Sequence, residues 1–154
     1  MKRLGFKLLF CAAMAVSMAG CDGCDSGSGK DDLCSHAKAA PSNFKAYMER
    51  LDNPQIVDYR KAEEFAQGHI PGAKNIPVTV YDLDGVKGDC PYVKMVLEVF
   101  DVNKPILVYG GDTGFGVNGQ AVPGQLACKF GEKNVTLLVG GYKAWVKEGY
   151  PTEP

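Results

Sequence analysis

Short apolar, β-branched runs alternate with amphipathic segments along this chain, and that alternation limits the possible folds more than any other feature. Gln55–Tyr59 (QIVDY), Ile106–Tyr109 (ILVY) and Asn134–Val139 (NVTLLV) each read as a buried strand. Phe44, Tyr47, Met48 and Leu51 recur at i, i+3, i+4 and i+7, one face of a helix for which Ser42 is a suitable N-cap. Lys61–Gln67 reads as a helix stopped by Gly68, and Lys74–Val78 as a short extended piece. Tyr92, Val93, Met95, Val96, Val99 and Phe100 mark another amphipathic helix. A further helix is expected from about Pro123, where proline suits a first turn, to Phe130, with Gly131 as its cap. The last surrounds Trp145 and ends at Gly149. Most of these strands are near-continuous apolar runs, and such strands are covered on both faces. The expected fold is therefore a single α/β domain, a mainly parallel central sheet with helices on both faces.

In such sheets ligands bind beyond the carboxyl ends of the strands. The strand Ile106–Tyr109 runs into a loop with glycines at 110, 111, 114, 116 and 119, which makes residues 110–121 the candidate binding loop. Its central residues are Gly110, Gly111, Asp112, Thr113, Gly114, Phe115 and Gly116. None is a Cys, His, Ser, Lys or Arg, so the loop carries no obvious nucleophile or cation. Backbone N–H groups before a helix form a ready anion site, which Asp112 opposes. Phe115 could instead serve as an apolar contact.

The chain has 154 residues, 45% hydrophobic, with a formal net charge of −1. That suffices for one core and gives no reason to expect nucleic acid as a partner. Residues 1–20 carry a positive start (Lys2, Arg3, Lys7), an apolar run Leu8–Val16 and small residues before Cys21, the pattern of an export signal. Met18-Ala19-Gly20-Cys21 resembles a bacterial lipoprotein box. That resemblance implies cleavage before Cys21, lipid on its thiol and amino group, and a membrane-anchored protein of the cell envelope. Residues 21–40, Gly-, Ser- and Asp-rich at their start, are expected to form a flexible tether, with the folded domain spanning 41–154. Cys24, Cys34, Cys90 and Cys128 remain in the exported chain. One or two structural disulfides are the default in an oxidising compartment, with three pairings open. A zinc site is disfavoured, since no close Cys pair has His partners. Neither a metal nor a cofactor is expected.

Two long segments carry a family resemblance. Ile56–Pro77 (IVDYRKAEEFAQGHIPGAKNIP) and Asn134–Pro151 (NVTLLVGGYKAWVKEGYP) resemble the two signatures of the rhodanese-like family. The resemblance covers roughly Ser42 to Pro151. It implies structural roles for Asp58, Arg60, His69, Gly72, Gly140, Gly141 and Trp145. His69 is then a packing and hydrogen-bonding residue, and Trp145 a core residue. Active members of that family carry a nucleophilic Cys directly after the strand that here ends at Tyr109. Its lowered pKa makes it a thiolate that accepts sulfane sulfur. Gly110 stands at that position, and the segment to Gly131 is longer than is usual in the family. The expectation is a module without a catalytic residue, binding a protein partner or a small oxyanion through the loop. The alternative is a sulfurtransferase using another cysteine.

Overall fold

The computed structural model describes residues 33–111 and 117–154, with the backbone alone over 117–120. Five strands, β1 (Ala37–Ala39), β2 (Gln55–Asp58), β3 (Lys74–Asn75), β4 (Ile106–Tyr109) and β5 (Val135–Leu138), form one sheet in the order β1-β5-β4-β2-β3. Every pairing is parallel. Among the described residues five α-helices connect or follow them: α1 (Pro41–Arg50), α2 (Ala62–Ala66), α3 (Pro91–Leu97), α4 (Val117–Phe130) and α5 (Gly141–Lys147).

The three central strands are buried at every residue. Their side chains alternate between two cores, as the period of two requires. Val57, Ile106, Val108, Val135 and Leu137 face α3 and α4, meeting Tyr92, Val93, Val96, Val122, Leu126 and Phe130. Ile56, Leu107, Tyr109 and Leu138 face the opposite side, meeting Phe44 of α1 and Trp145 of α5. Helices thus cover both faces. The register sets Asp58 of β2 beside Tyr109 of β4, bringing the carboxyl ends of the two central strands level.

Four local expectations are corrected. Within the stretch 21–40 expected to be a tether, the described residues 33–40 contain β1, which pairs with the edge of β5. Its anchor is a disulfide between Cys34 and Cys128. A three-residue edge strand of sequence AKA has no periodicity to announce it. Helix α1 starts at Pro41 with Ala40 as its N-cap, so Ser42 lies within the first turn. A proline at the first helical position loses no hydrogen bond and has its φ preset. Of the extended piece expected over Lys74–Val78, only Lys74–Asn75 is strand.

The largest difference is α4, which begins at Val117 and holds Pro123 in its interior. Pro123 has no N–H to offer the carbonyl of Gly119, four residues back. Interior proline costs a helix about 3 kcal/mol, and the burial of Val122, Leu126 and Phe130 offsets it. The expected loop 110–121 is accordingly shorter: residues 117–121 are helical. Asp112, Thr113, Gly114, Phe115 and Gly116 lie outside the described residues, as do the signal segment, Cys21 and Cys24.

Candidate functional site at the carboxyl ends of the strands

Asp58 ends β2 fully buried, its charge met by Arg60 two residues on. Asp58 Oδ1 accepts the Arg60 backbone N–H at 2.8 Å, and Arg60 Nη2 donates to Oδ2 at 2.6 Å. Arg60 Nε donates to both carboxylate oxygens at 3.1 and 3.0 Å. The same Nη2 donates to the Gly68 carbonyl at 2.8 Å, pinning the end of α2. Asn75 Nδ2 donates to the carbonyls of Asp58 and Arg60, which ties β3 to this turn. The guanidinium lies 3.9 Å from the centre of the Tyr142 ring, a cation–π contact. The Arg60 side chain is only 6% exposed, yet it lines an open cleft.

That cleft, about 400 Å³, is lined by Arg60, Glu64, Gly111, Tyr142, Lys143 and Val146. Asp58 already neutralises Arg60. Lys143 and Glu64 bring one positive and one negative side chain to the lining. Arg60 brings a rigidly held guanidinium rather than net charge.

The expected family-motif residues surround this cleft or brace it. His69 is 6% exposed and stacks on Phe65 with ring centres 3.7 Å apart. Its Nδ1 is 3.1 Å from the Phe65 carbonyl, its Nε2 is 3.4 Å from Glu153 Oε1, and its backbone bridges Glu153. Both ring nitrogens are thus engaged by the fold, and His69 does not line the cleft. Gly72 turns the chain at φ +78° and donates its N–H to Glu153 Oε1 at 2.8 Å. Trp145 is fully buried against Phe44 and Tyr150, and its Nε1 donates to the Pro151 carbonyl at 2.8 Å. Gly140 and Gly141 both have positive φ, and Gly141 presses against the carbonyls of Gly110 and Gly111. The Tyr142 N–H then donates to the Gly110 carbonyl at 2.9 Å. The GG pair therefore docks the first turn of α5 onto the start of the loop.

Sequence reasoning missed Tyr59, Glu64, Tyr142, Lys143 and Val146. The signal for Tyr142 was present: it follows the GG pair directly. Tyr59 sits between Asp58 and Arg60 and points into the α3/α4 core, 9% exposed. Burial, followed by the charge of Asp58, pushes its phenol up to about 12. Burial likewise raises Tyr92 and Tyr109. The folded state keeps these protons above pH 10, where the unfolded chain releases them. Stability is unaffected by them below pH 10 and falls from pH 10 to 12, by about 1.4 kcal/mol per pH unit for Tyr59 alone. Urea midpoints measured from pH 8.5 to 11.5, alongside tyrosinate absorbance, are expected to stay flat and then drop steeply.

The cysteines divide clearly. Cys34 and Cys128 are paired. With α4 beginning at Val117, Cys128 lies about three turns from the loop. Cys90 is free and fully buried before α3. Among the described residues no three His, Cys, Asp or Glu side chains converge as a metal site.

Residues 41–148 match the family described as the rhodanese-like domain. Thiosulfate sulfurtransferase 16, chloroplastic, of Arabidopsis thaliana is 36% identical over 103 residues, 67% of this chain and 82% of that protein. The solution structure of a rhodanese-like domain from Anabaena superposes with a TM-score of 0.55 at 28% identity, covering 77% of this chain and 79% of that one. The crystal structure of a rhodanese-related protein from Thermoplasma volcanium shares the fold at 18% identity, TM-score 0.54, covering 77% and 98%. Sheet order, paired signature segments and family match agree: this chain belongs to the rhodanese-like family.

Proposed function

We propose that this protein is a rhodanese-like binding module without its own sulfur chemistry, held at an envelope membrane by lipid on Cys21, that takes a small oxyanion in the Arg60–Tyr142 cleft. The observation that carries this reading is at position 110. The residue directly after β4 is a glycine, and the described cysteines are either paired or buried. A backbone amide cannot replace a nucleophile. The name of the Arabidopsis relative favours the other reading, thiosulfate sulfurtransferase activity through a different cysteine. Cys90 is the free thiol among the described residues, and its complete burial opposes that role.

Calorimetric titration of the full chain with sulfate, thiosulfate and phosphate tests the binding reading. Saturable binding of at least one is expected, weakened about tenfold by Lys143→Glu and tightened by Glu64→Gln, since the two side chains act on the anion with opposite sign. Transfer of sulfur from thiosulfate to cyanide, lost in Cys90→Ser, would establish the other reading. Mass spectrometry of the mature protein from its membrane fraction reports whether Cys21 carries lipid.

A further inference from the structure

A Cβ placed on Gly110 would lie 2.4 Å from Tyr59 Cε2, 2.6 Å from Cζ and 2.8 Å from the phenol oxygen. Such separations are shorter than any real carbon contact, so a side chain at 110 and the ring of Tyr59 compete for one space. The backbone of Tyr59 is held on both sides. Its N–H donates to the Tyr109 carbonyl at 3.1 Å, and its own carbonyl accepts the Val78 N–H at 3.4 Å. Its ring is buried in the core that faces α3 and α4. The neighbouring Gly111 differs completely: a Cβ there meets nothing within 4 Å, and this residue lines the cleft on the α2/α5 side.

We infer that Tyr59 closes position 110 to any side chain, a reactive thiol included. Its ring fills the space on the α3/α4 side of the sheet into which residue 110 would project, while the Arg60–Tyr142 cleft on the other side stays open. This deepens the binding reading and rests on it. Position 110 carries no thiol, and the room for a side chain there is occupied. A cysteine placed at position 110 therefore has either to displace a buried ring or to remain shielded beneath it.

The first test needs no change to Tyr59. In the full chain, Gly110→Ala is expected to lower Tm by about 10 °C or more, while Gly111→Ala shifts it by under about 2 °C. Equal shifts at the two positions would overturn the inference. The second test places Gly110→Cys beside the native Tyr59, Tyr59→Phe or Tyr59→Val, with labelling by a maleimide at residue 110 read by peptide mass spectrometry. Labelling beside Tyr or Phe is expected at least about a hundredfold slower than beside Val, because a shielded thiol reacts only through local opening. A Gly110→Cys chain that folds only when combined with Tyr59→Val also supports the inference, whereas equally fast labelling in all three backgrounds defeats it. If Tyr59→Val does not fold, the alanine pair decides alone. Sulfur transfer by the unaltered chain would defeat the non-catalytic reading and leave the alanine comparison standing.

Discussion

Gly141→Ala is expected to cost more than about 4 kcal/mol of stability, placing it among the severe single substitutions. Two independent penalties meet at this residue. Its φ of +59° is a conformation that costs an L-residue about 1–2 kcal/mol. The added methyl would also sit 1.7 Å from the Gly111 carbonyl oxygen and 2.6 Å from that of Gly110. These are backbone atoms at the end of a buried central strand, so no rotamer change relieves the overlap. Either α5 lifts from the sheet, breaking the hydrogen bond from Tyr142 N–H to the Gly110 carbonyl, or β4 shifts within its ladder. Gly72→Ala provides the control, with φ +78° and nothing within 4 Å of a new Cβ. It should lose only the conformational part, about 1–2 kcal/mol. Guanidinium denaturation of both variants at equal m-value measures the difference. A Gly141→Ala protein as stable as the Gly72→Ala one would show that the α5 contact yields easily.

Asp58→Asn is expected to cost about 3–5 kcal/mol, from the loss of a charge rather than of volume. Asparagine has nearly the same shape but offers an amide N–H₂ where Arg60 presents donors. The guanidinium, on a side chain only 6% exposed, then carries a charge with no carboxylate beside it. The diagnostic is the double variant Asp58→Asn with Arg60→Met, which removes both charges. It should be more stable than Asp58→Asn alone, because a buried apolar side chain avoids the desolvation that an unpaired ion suffers. If the double variant is instead as damaged as the sum of the two single ones, the pair is not coupled. The hydrogen bond to Gly68 and the stack on Tyr142 would then be Arg60's main contributions.

The parts of this fold that were legible in the sequence are those governed by local pattern. β2, β4 and β5 announce themselves as near-continuous apolar runs, and α1 and α3 by their spacing. The hidden parts obey forces that leave little local trace. β1 exists because Cys34 reaches Cys128, 94 residues away, and because β5 has an open edge to pair with. The start of α4 was misplaced because Pro123 reads as a beginning, while distant packing of Val122 and Leu126 carries the helix through it. At the site, Asp58 and Arg60 stand out in sequence, and both lie at the carboxyl end of the sheet. Tyr59, between them, shows its relation to Gly110 only once β2 and β4 are laid side by side. A cleft is a meeting of three segments, and no single segment records it.

The disulfide also sets the route that a pull on this chain would take. A pull on the chain ahead of Leu33 reaches Cys34 before it reaches β1, and passes through the sulfurs into α4 at Cys128. The three-residue strand at the sheet edge is thereby spared from being peeled. If the opposite end is held, everything between the two cysteines stays outside the stretched path. At roughly 3.5 Å per residue, the 94-residue separation withholds about 330 Å of extension, and only the residues beyond Cys128 can pay out. Cutting that one covalent link would turn a short, stiff spring into a long one.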